Sequence, residues 1–303
     1  MPPYRSRRSR TRAAQWIAIA VVAALAVLVI VLALLALDRG RGDEADASTA
    51  PVPSFTPHET STPSPTPTPE ETPDAVGPVD RADERFLAVG ADGVVWRAVA
   101  GSCADGIQPL IERSTDGGQS WNDVTPLYRE VRQVASLVPI AGSQAEIVAA
   151  IGDECEVDLL RTFTQGEFWE PYPDELASAS YIDPATAATV IIAGEPVDAP
   201  CPEARSLATQ GGAIALVCDG EVATWTGDAW ESAGTTSAVA VTLLDSAPVA
   251  AVAAVAAEEC EGLELADAAG TACLDGTDPA APTALAPSGT TTWLWNGDSL
   301  TGG

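Results

Sequence analysis

Residues 114–121 read Ser-Thr-Asp-Gly-Gly-Gln-Ser-Trp, and this stretch says more about the fold than any other part of the 303-residue chain. Ser114 and Asp116 have side chains that accept hydrogen bonds from nearby backbone N–H groups in turns. The two glycines that follow, of which Gly118 is the second, adopt positive φ without a steric penalty. Trp121 then starts an outer strand and offers a large apolar ring for burial. The stretch therefore predicts a hairpin that ends in a packed tryptophan.

This segment fits the pattern S/T-x-D-x-G-x-x-W through Ser114, Asp116, Gly118 and Trp121. The pattern resembles the Asp-box, or BNR repeat, of sialidases, sortilin-like receptors and photosystem-assembly propellers. In that family the box closes the hairpin between the last two strands of a β-propeller blade. The resemblance implies an all-β, propeller-like domain and a structural, non-catalytic role for Asp116. The alternative is an ordinary Asp-Gly-Gly turn followed by a chance Trp.

Three further segments resemble degenerate copies of this box. The first has Thr164 in place of the Asp, the second is one residue shorter, and the third is an Asn-Gly hairpin signal with Leu300 in place of the Trp. The retained positions are Thr162, Gly166 and Trp169 in the first copy and Thr226, Gly227 and Trp230 in the second.

Cysteines accompany the copies, since Cys103, Cys155 and Cys218 each follow an apolar run and precede a Gly turn and a Trp. A loose period of about 50 residues suits propeller blades, which usually take about 40–50 residues each. On this spacing residues 81–303 hold four or five blades, although 176–212 and 261–290 fit no single blade. Val249, Val252 and Val255 fall three apart, which also suits a helix, but the parallel with the other segments favours a strand.

The cysteines also predict disulfide bonds. An even number of cysteines in a segment expected outside the cell favours disulfides. Sequence does not select a connectivity, and we expect the simplest one, in which neighbours along the chain pair. The alternative is free buried thiols. The expected pairs are Cys103 with Cys155, Cys201 with Cys218, and Cys260 with Cys273.

The first 80 residues have a different character. Residues 1–12 carry five arginines and no acid, and residues 13–37 are apolar and long enough to span a lipid bilayer as a helix. The arginines predict a cytoplasmic N-terminus and an extracellular domain at 81–303. A cleaved signal peptide is the alternative, but this apolar run is longer than usual for one. Residues 38–80 are rich in Pro and Thr, which predicts a disordered linker.

Charge limits the partners of the domain. The formal net charge is −28, and all 43 acidic residues follow residue 37. So acidic a domain repels nucleic acid. All 15 basic residues are arginine, and together with the many Ala, Val, Gly and Pro this usage resembles that of high-GC genomes and predicts an actinobacterial origin.

Catalytic chemistry is hard to find in residues 81–303. The single His of the chain, His58, lies in the linker, which excludes Ser-His-Asp and Cys-His catalysis and argues against a metal site. No nucleotide or dinucleotide motif is present, so we expect no cofactor. The resemblance does not extend to the sialidase arginines and Tyr-Glu pair. Acid pairs such as Asp153-Glu154 and Glu258-Glu259 are expected as solvated turns, although glycosidases use paired carboxylates.

These observations predict a membrane-tethered extracellular module at the cell envelope that binds or scaffolds without catalysis. Its partners are the lipid bilayer, through residues 13–37, and an envelope protein or glycan of unknown identity. Two alternatives remain. One is a cell-surface glycoside hydrolase of the sialidase type, and the other is a structural wall-spanning protein with no specific ligand.

Overall fold

The computed structural model describes residues 80–253 and 260–302, and this part of the chain is almost entirely β. The described strands form six antiparallel sheets in chain order, each made of consecutive strands. The strands are β1 Arg85–Val89, β2 Val95–Val99, β3 Leu110–Ser114, β4 Asn122–Asp123, β5 Val131–Ala141, β6 Gln144–Ile151, β7 Glu156–Thr162, β8 Trp169–Pro171, β9 Tyr181–Ile182, β10 Thr189–Ile192, β11 Glu195–Asp198, β12 Arg205–Gln210, β13 Ala213–Cys218, β14 Glu221–Trp225, β15 Trp230–Ser232, β16 Ala238–Leu244, β17 Ala247–Ala253, β18 Gly262–Asp267, β19 Gly270–Asp275, β20 Thr283–Ser288, β21 Thr291–Asn296 and β22 Ser299–Thr301.

Helical structure in the described residues is limited to short turns. One α-helix, α1, covers Pro173–Leu176, and 3₁₀ turns lie at Arg81–Asp83 and Leu127–Arg129. The strand preferred for the Ala- and Val-rich run is confirmed at Val249 and Val252, which lie in β17, whereas Val255 lies outside the described residues.

The six sheets close into a ring. The innermost strands β1, β5, β9, β12, β16 and β20 each contact the next, and β20 contacts β1 again. Each sheet packs between two neighbours, and this buries both faces of some inner strands. In β6, consecutive residues Ile147 and Val148 are both inaccessible to solvent. The domain is therefore a six-bladed β-propeller, and the prediction of an all-β propeller is confirmed.

The predicted number of four or five blades is wrong. Blade 3 (β9–β11) and blade 6 (β20–β22) have three strands each and about 20 residues, so the expected spacing of about 40–50 residues per blade does not hold. Blade 3 also lacks the Cys and Trp that marked the other copies. Because blade 3 has neither residue type, the repeat of Cys and Trp along the sequence does not indicate it.

One hydrogen bond joins opposite sides of the ring. Glu84 precedes β1 in blade 1, and Ser206 lies in β12 of blade 4, with two blades between them in either direction. The Ser206 backbone N–H donates to the Glu84 carboxylate at 2.8 Å. Ser206 has a φ of 52°, at a register shift within β12. The side chain of Glu84 therefore crosses the central channel.

All six cysteines form disulfides, and the expected pairing is confirmed. The Cys103–Cys155 bond links the β2–β3 loop of blade 1 to the β6–β7 loop of blade 2. The Cys201–Cys218 bond lies within blade 4, and the Cys260–Cys273 bond lies within blade 5.

The predicted tail 1–12, membrane helix 13–37 and most of the linker 38–80 lie outside the described residues, as do the Glu258-Glu259 pair and His58. Within residues 80–253 and 260–302, no helix has the length and apolar character needed to cross a membrane.

A candidate binding cleft between blades 1 and 2

The 114–121 hairpin connects β3 to β4 and is held by the side chains that the sequence singled out. The Gly118 N–H donates to Ser114 Oγ at 2.8 Å. The Asp116 carboxylate accepts from the Ser120 hydroxyl at 2.6 Å, the Ser120 backbone N–H at 2.9 Å and the Ser114 hydroxyl at 2.7 Å. These hydrogen bonds, those of Ser120 above all, lower the pKa of Asp116 to about 2. All three of these hydrogen bonds come from residues of the same hairpin, so the Asp116 carboxylate has a structural role.

The 162–169 hairpin of blade 2 repeats this arrangement with threonines. Thr162 Oγ1 accepts from the Gly166 N–H at 3.0 Å, as Ser114 does for Gly118. Thr164 Oγ1 accepts from the Phe168 N–H at 2.9 Å, as Asp116 does for Ser120. One hydroxyl oxygen thus replaces a carboxylate.

The shorter copy lies in blade 4, between β14 and β15. There the Ala229 N–H donates to Thr226 Oγ1 at 3.3 Å, and Gly227 has a φ of 106°. Leu300, the Trp replacement of the third copy, lies in β22 of blade 6.

The glycines of the two longer hairpins are required by close packing. Gly118 has a φ of 86°, and a Cβ there would collide with the Leu300 side chain of blade 6. Gly166 has a φ of 92°, and a Cβ there would lie 2.5 Å from the Val124 side chain of blade 1. In both cases the hairpin of one blade presses on the preceding blade, and only glycine meets both constraints.

The closing tryptophans bridge neighbouring blades in the same sense. Trp169 is fully buried, donates its indole N–H to the Val124 carbonyl at 3.1 Å, and stands edge-on to Trp96 of blade 1 at 6.2 Å between ring centroids. Trp230 donates to the Asp198 carbonyl of blade 3 at 3.0 Å. Trp121 packs against the cluster that contains Trp295 of blade 6, and it lies under the Arg97 guanidinium of its own blade at 3.9 Å. These rings are occupied by packing, so they are not free platforms for a ligand.

A cleft of about 420 Å³ opens between blades 1 and 2, and we call it the rim cleft. The outer strand β4 and its continuation form one wall, and the 162–169 hairpin forms the other. The lining residues are Arg113, Asn122, Asp123, Val124, Thr125, Tyr128, Gln165, Gly166 and Glu167.

Arg113 is the unusual member of this lining. Only 7% of the residue is exposed, and its Nε has no hydrogen-bond partner in the described structure. Its Nη2 approaches the Gly142 carbonyl at 3.5 Å, and its guanidinium lies 5.5 Å from the centre of the Trp96 ring. Burial lowers the pKa of Arg113, and the negative charge of Asp92 partly opposes this shift.

Arg161 is the counterpart of Arg113 in blade 2, since each arginine directly precedes a hairpin copy. Arg161 faces Glu146 across the sheet and forms an ion pair with it, and Glu175 lies 3.5 Å away. Arg113 faces Trp96 instead. Among the described residues, no carboxylate oxygen lies within 4.0 Å of Arg113. Blade 1 therefore buries a guanidinium and omits the acid that blade 2 supplies.

Exposed apolar side chains gather beside the rim cleft. Of the eight large hydrophobic residues that are exposed in the described chain, six lie between 127 and 168. The hydroxyl of Tyr128 bonds with the backbone of Trp169, which places Tyr128 next to Phe168. Leu127 and Tyr128 lie in the same 3₁₀ turn, and we call these three exposed residues the blade 2 apolar patch: Leu127, Tyr128 and Phe168. The exposed ring of Phe163 packs against Tyr172 instead.

Two other features of the described residues lead to no site. A cavity of about 330 Å³ in blade 4 is walled by the Cys201–Cys218 disulfide and by Trp230, which is engaged with blade 3. Sulfur and carboxylate groups of Cys260, Cys273 and Asp275 come together in blade 5, but both sulfurs belong to a disulfide and are not available as metal ligands. Asp153, one of the predicted acid pair, is exposed in a turn and pairs with Arg132 at 3.1 Å.

Sequence reasoning missed the rim cleft. The hairpin glycine Gly166 was singled out, but Arg113, Tyr128 and Glu167 were not. The sequence shows that an arginine precedes both longer hairpin copies, but only the strand register shows that Arg161 faces an acid and Arg113 does not.

No family model matches the chain, and no curated protein matches it. Assignment to the Asp-box family therefore stays a prediction. Among solved structures, the chain is similar to a PQQ-bound aldose sugar dehydrogenase from Streptomyces coelicolor, with 13% identity, a TM-score of 0.43 and coverage of 76% of this chain and 94% of that one. It is similar to the Aleuria aurantia lectin in complex with Fucα1-6GlcNAc, with 11% identity, a TM-score of 0.43 and coverage of 73% and 94%.

A third similarity is to YCF48 bound to a D1 peptide, with 17% identity and a TM-score of 0.28. It covers 70% of this chain but only 60% of YCF48. The three proteins include an enzyme and a lectin, and at these values the similarities indicate no activity, ligand or partner for this chain.

Proposed function

We propose that this protein is a single-pass membrane protein whose extracellular six-bladed propeller binds a component of the cell envelope without catalysis. The observation that carries the proposal is the concentration of exposed apolar side chains beside the rim cleft. A cluster of exposed apolar side chains on an acidic domain favours a binding role. The tether is the predicted helix at 13–37, and the predicted linker 38–80 would let the domain reach into the envelope.

The non-enzymatic part of the proposal rests on residue types. Residues 81–303 contain no histidine, and the Asp116 carboxylate is committed to its turn. The glycoside hydrolase remains the second candidate because Asp123 and Glu167 both line the rim cleft. Paired carboxylates in one cleft are the minimum that this chemistry needs.

Binding is tested with the full-length protein in lipid nanodiscs and an isolated cell-envelope fraction of the source organism. We expect saturable binding that weakens about tenfold, or about 1.4 kcal/mol, in Tyr128→Ala and Phe168→Ala. Val138→Ala, which changes an exposed apolar residue outside the patch, is the matched control and should bind as the unchanged protein does. Absence of saturable binding would favour the structural, wall-spanning alternative.

The same samples separate binding from hydrolysis. We expect no release of reducing sugar from the envelope fraction over several hours. Turnover that disappears in Asp123→Asn or Glu167→Gln while the melting temperature is unchanged would replace the binding proposal with the hydrolase.

A further inference from the structure

Building on the proposed function, we infer that the rim cleft binds a small molecule through one carboxylate group, which pairs with the guanidinium of Arg113. The ligand carboxylate would form an ion pair with Arg113, as the Glu146 carboxylate does with Arg161. The cleft volume of about 420 Å³ lies in the range of small-molecule sites, which is about 300–1,000 Å³.

The first argument is the unfilled hydrogen-bonding capacity of Arg113. A guanidinium presents five N–H donors in a planar fork and stays protonated in proteins. In a residue that is 7% exposed, a donor without an acceptor is destabilising. A carboxylate binds Nε and one Nη together and would satisfy the unpartnered Nε. The Trp96 ring and the Gly142 carbonyl are the contacts of the guanidinium in the described structure, and neither one provides an acceptor for Nε.

The second argument concerns the charge around the cleft. Asp123 and Glu167 are exposed residues of the same lining, and Asp92 acts on Arg113 from beyond ion-pair distance. The negative charges of these three acids disfavour ligands with two or more negative charges. It favours a single carboxylate on a molecule that also carries hydroxyl or ammonium donors for the two acids. Acidic sugars and amino acids both have this chemistry.

The test is calorimetric titration of the full-length protein in nanodiscs with acetate, D-glucuronate and L-alanine. Glucose and alaninamide, which lack the carboxylate, are the matched probes for glucuronate and alanine, and alaninamide keeps the ammonium group of alanine. We expect one site per chain for at least one carboxylate and none for its match without the carboxylate. Binding of glucuronate alone would indicate an acidic sugar, and binding of alanine alone would indicate an amino acid. If none of the three carboxylates binds below about 10 mM, the inference is overturned.

Variants assign the binding to Arg113. Arg113→Gln should weaken binding at least tenfold, whereas Arg161→Gln, which removes the paired counterpart, should leave it unchanged. Equal weakening by both variants would overturn the assignment. If Arg113→Gln does not fold, Arg113→Lys keeps the charge but loses the fork and should weaken binding about tenfold.

The outcome is separable from that of the proposed function. Envelope binding is measured with variants of the apolar patch, and carboxylate binding is measured with purified small molecules. Loss of either result leaves the other standing.

Discussion

At the scale of the residue, the 114–121 hairpin shows how one carboxylate can organise a turn. Asp116 accepts three hydrogen bonds from Ser120 and Ser114, and they stabilise its charged form. In the 162–169 hairpin, Thr164 accepts a corresponding bond without a charge. The same backbone shape is therefore reached in one blade with an ionised group and in the next with a neutral one. Of these two groups, only the Asp116 carboxylate makes the stability of its hairpin depend on pH.

This difference predicts an acid-sensitive contribution from Asp116. Its folded pKa of about 2 lies below the ordinary value of 3.8, so its contribution is fully present above about pH 4 and is lost as pH falls through about 2. We expect Asp116→Asn to lower the melting temperature at pH 6, with the gap to the unchanged protein closing between pH 4 and pH 2. Thermal melts across pH 2–6 measure this.

Asp228→Asn is the matched control, because the carboxylate of Asp228 accepts one hydrogen bond in the blade 4 hairpin, from the Thr226 hydroxyl. Its gap should change less with pH than that of Asp116→Asn. A difference in melting temperature between the unchanged protein and Asp116→Asn that is the same at every pH would contradict the assignment.

At the scale of the element, the three disulfides constrain the chain over different lengths. Cys103 and Cys155 are 52 residues apart and staple two blades, whereas Cys201 and Cys218 are 17 apart within one blade. In the chain-entropy view a disulfide stabilises by restricting the unfolded chain, and the effect grows with the logarithm of loop length. The bond between blades should therefore be the more stabilising one.

Replacing each pair by serine tests this ranking. Loss of Cys103–Cys155 should lower the free energy of unfolding by about 1 kcal/mol more than loss of Cys201–Cys218, whose own cost is about 3 kcal/mol. Guanidinium unfolding at equilibrium, followed by tryptophan fluorescence, gives both values. An equal or smaller loss for the pair that joins two blades would show that local packing in blade 4 outweighs loop entropy.

At the scale of the whole molecule, closure of the ring depends on contacts between distant segments. Strand β20 of blade 6 contacts β1 of blade 1, and this contact joins the two ends of the described ring. Gly118 packs against Leu300 at the same junction. The Glu84–Ser206 hydrogen bond adds a tie across the central channel. Such contacts form only when all six blades are in place, so they make the ring cooperative.

The channel tie gives a prediction for global stability. Glu84→Ala removes the acceptor of the Ser206 N–H and should lower the free energy of unfolding by about 1.5 kcal/mol. Glu84→Gln retains an acceptor oxygen and should cost less than half as much. Urea unfolding measures both. A Glu84→Ala protein as stable as the original would mean that the bond makes no net contribution.

The sequence by itself determined the features that are local. Residue types and short-range spacing predict the hairpin turns and the tryptophans that close them, because turn chemistry depends on adjacent residues. The resemblance of these hairpins to the Asp-box implies the all-β class. The sequence did not select a disulfide connectivity, and the structure has the simplest one, in which neighbouring cysteines pair. The count of six blades was not predictable, because the three-stranded blades 3 and 6 depart from the repeat length.

The rim cleft was decided by tertiary structure alone. Arg113 and Glu167 are 54 positions apart, and they meet only because blade 2 folds its hairpin against the last strand of blade 1. The lack of an acid opposite Arg113 depends on strand register, which places Trp96 there and Glu146 opposite Arg161. Register and blade packing arise from long-range contacts, and no short stretch of this chain encodes them.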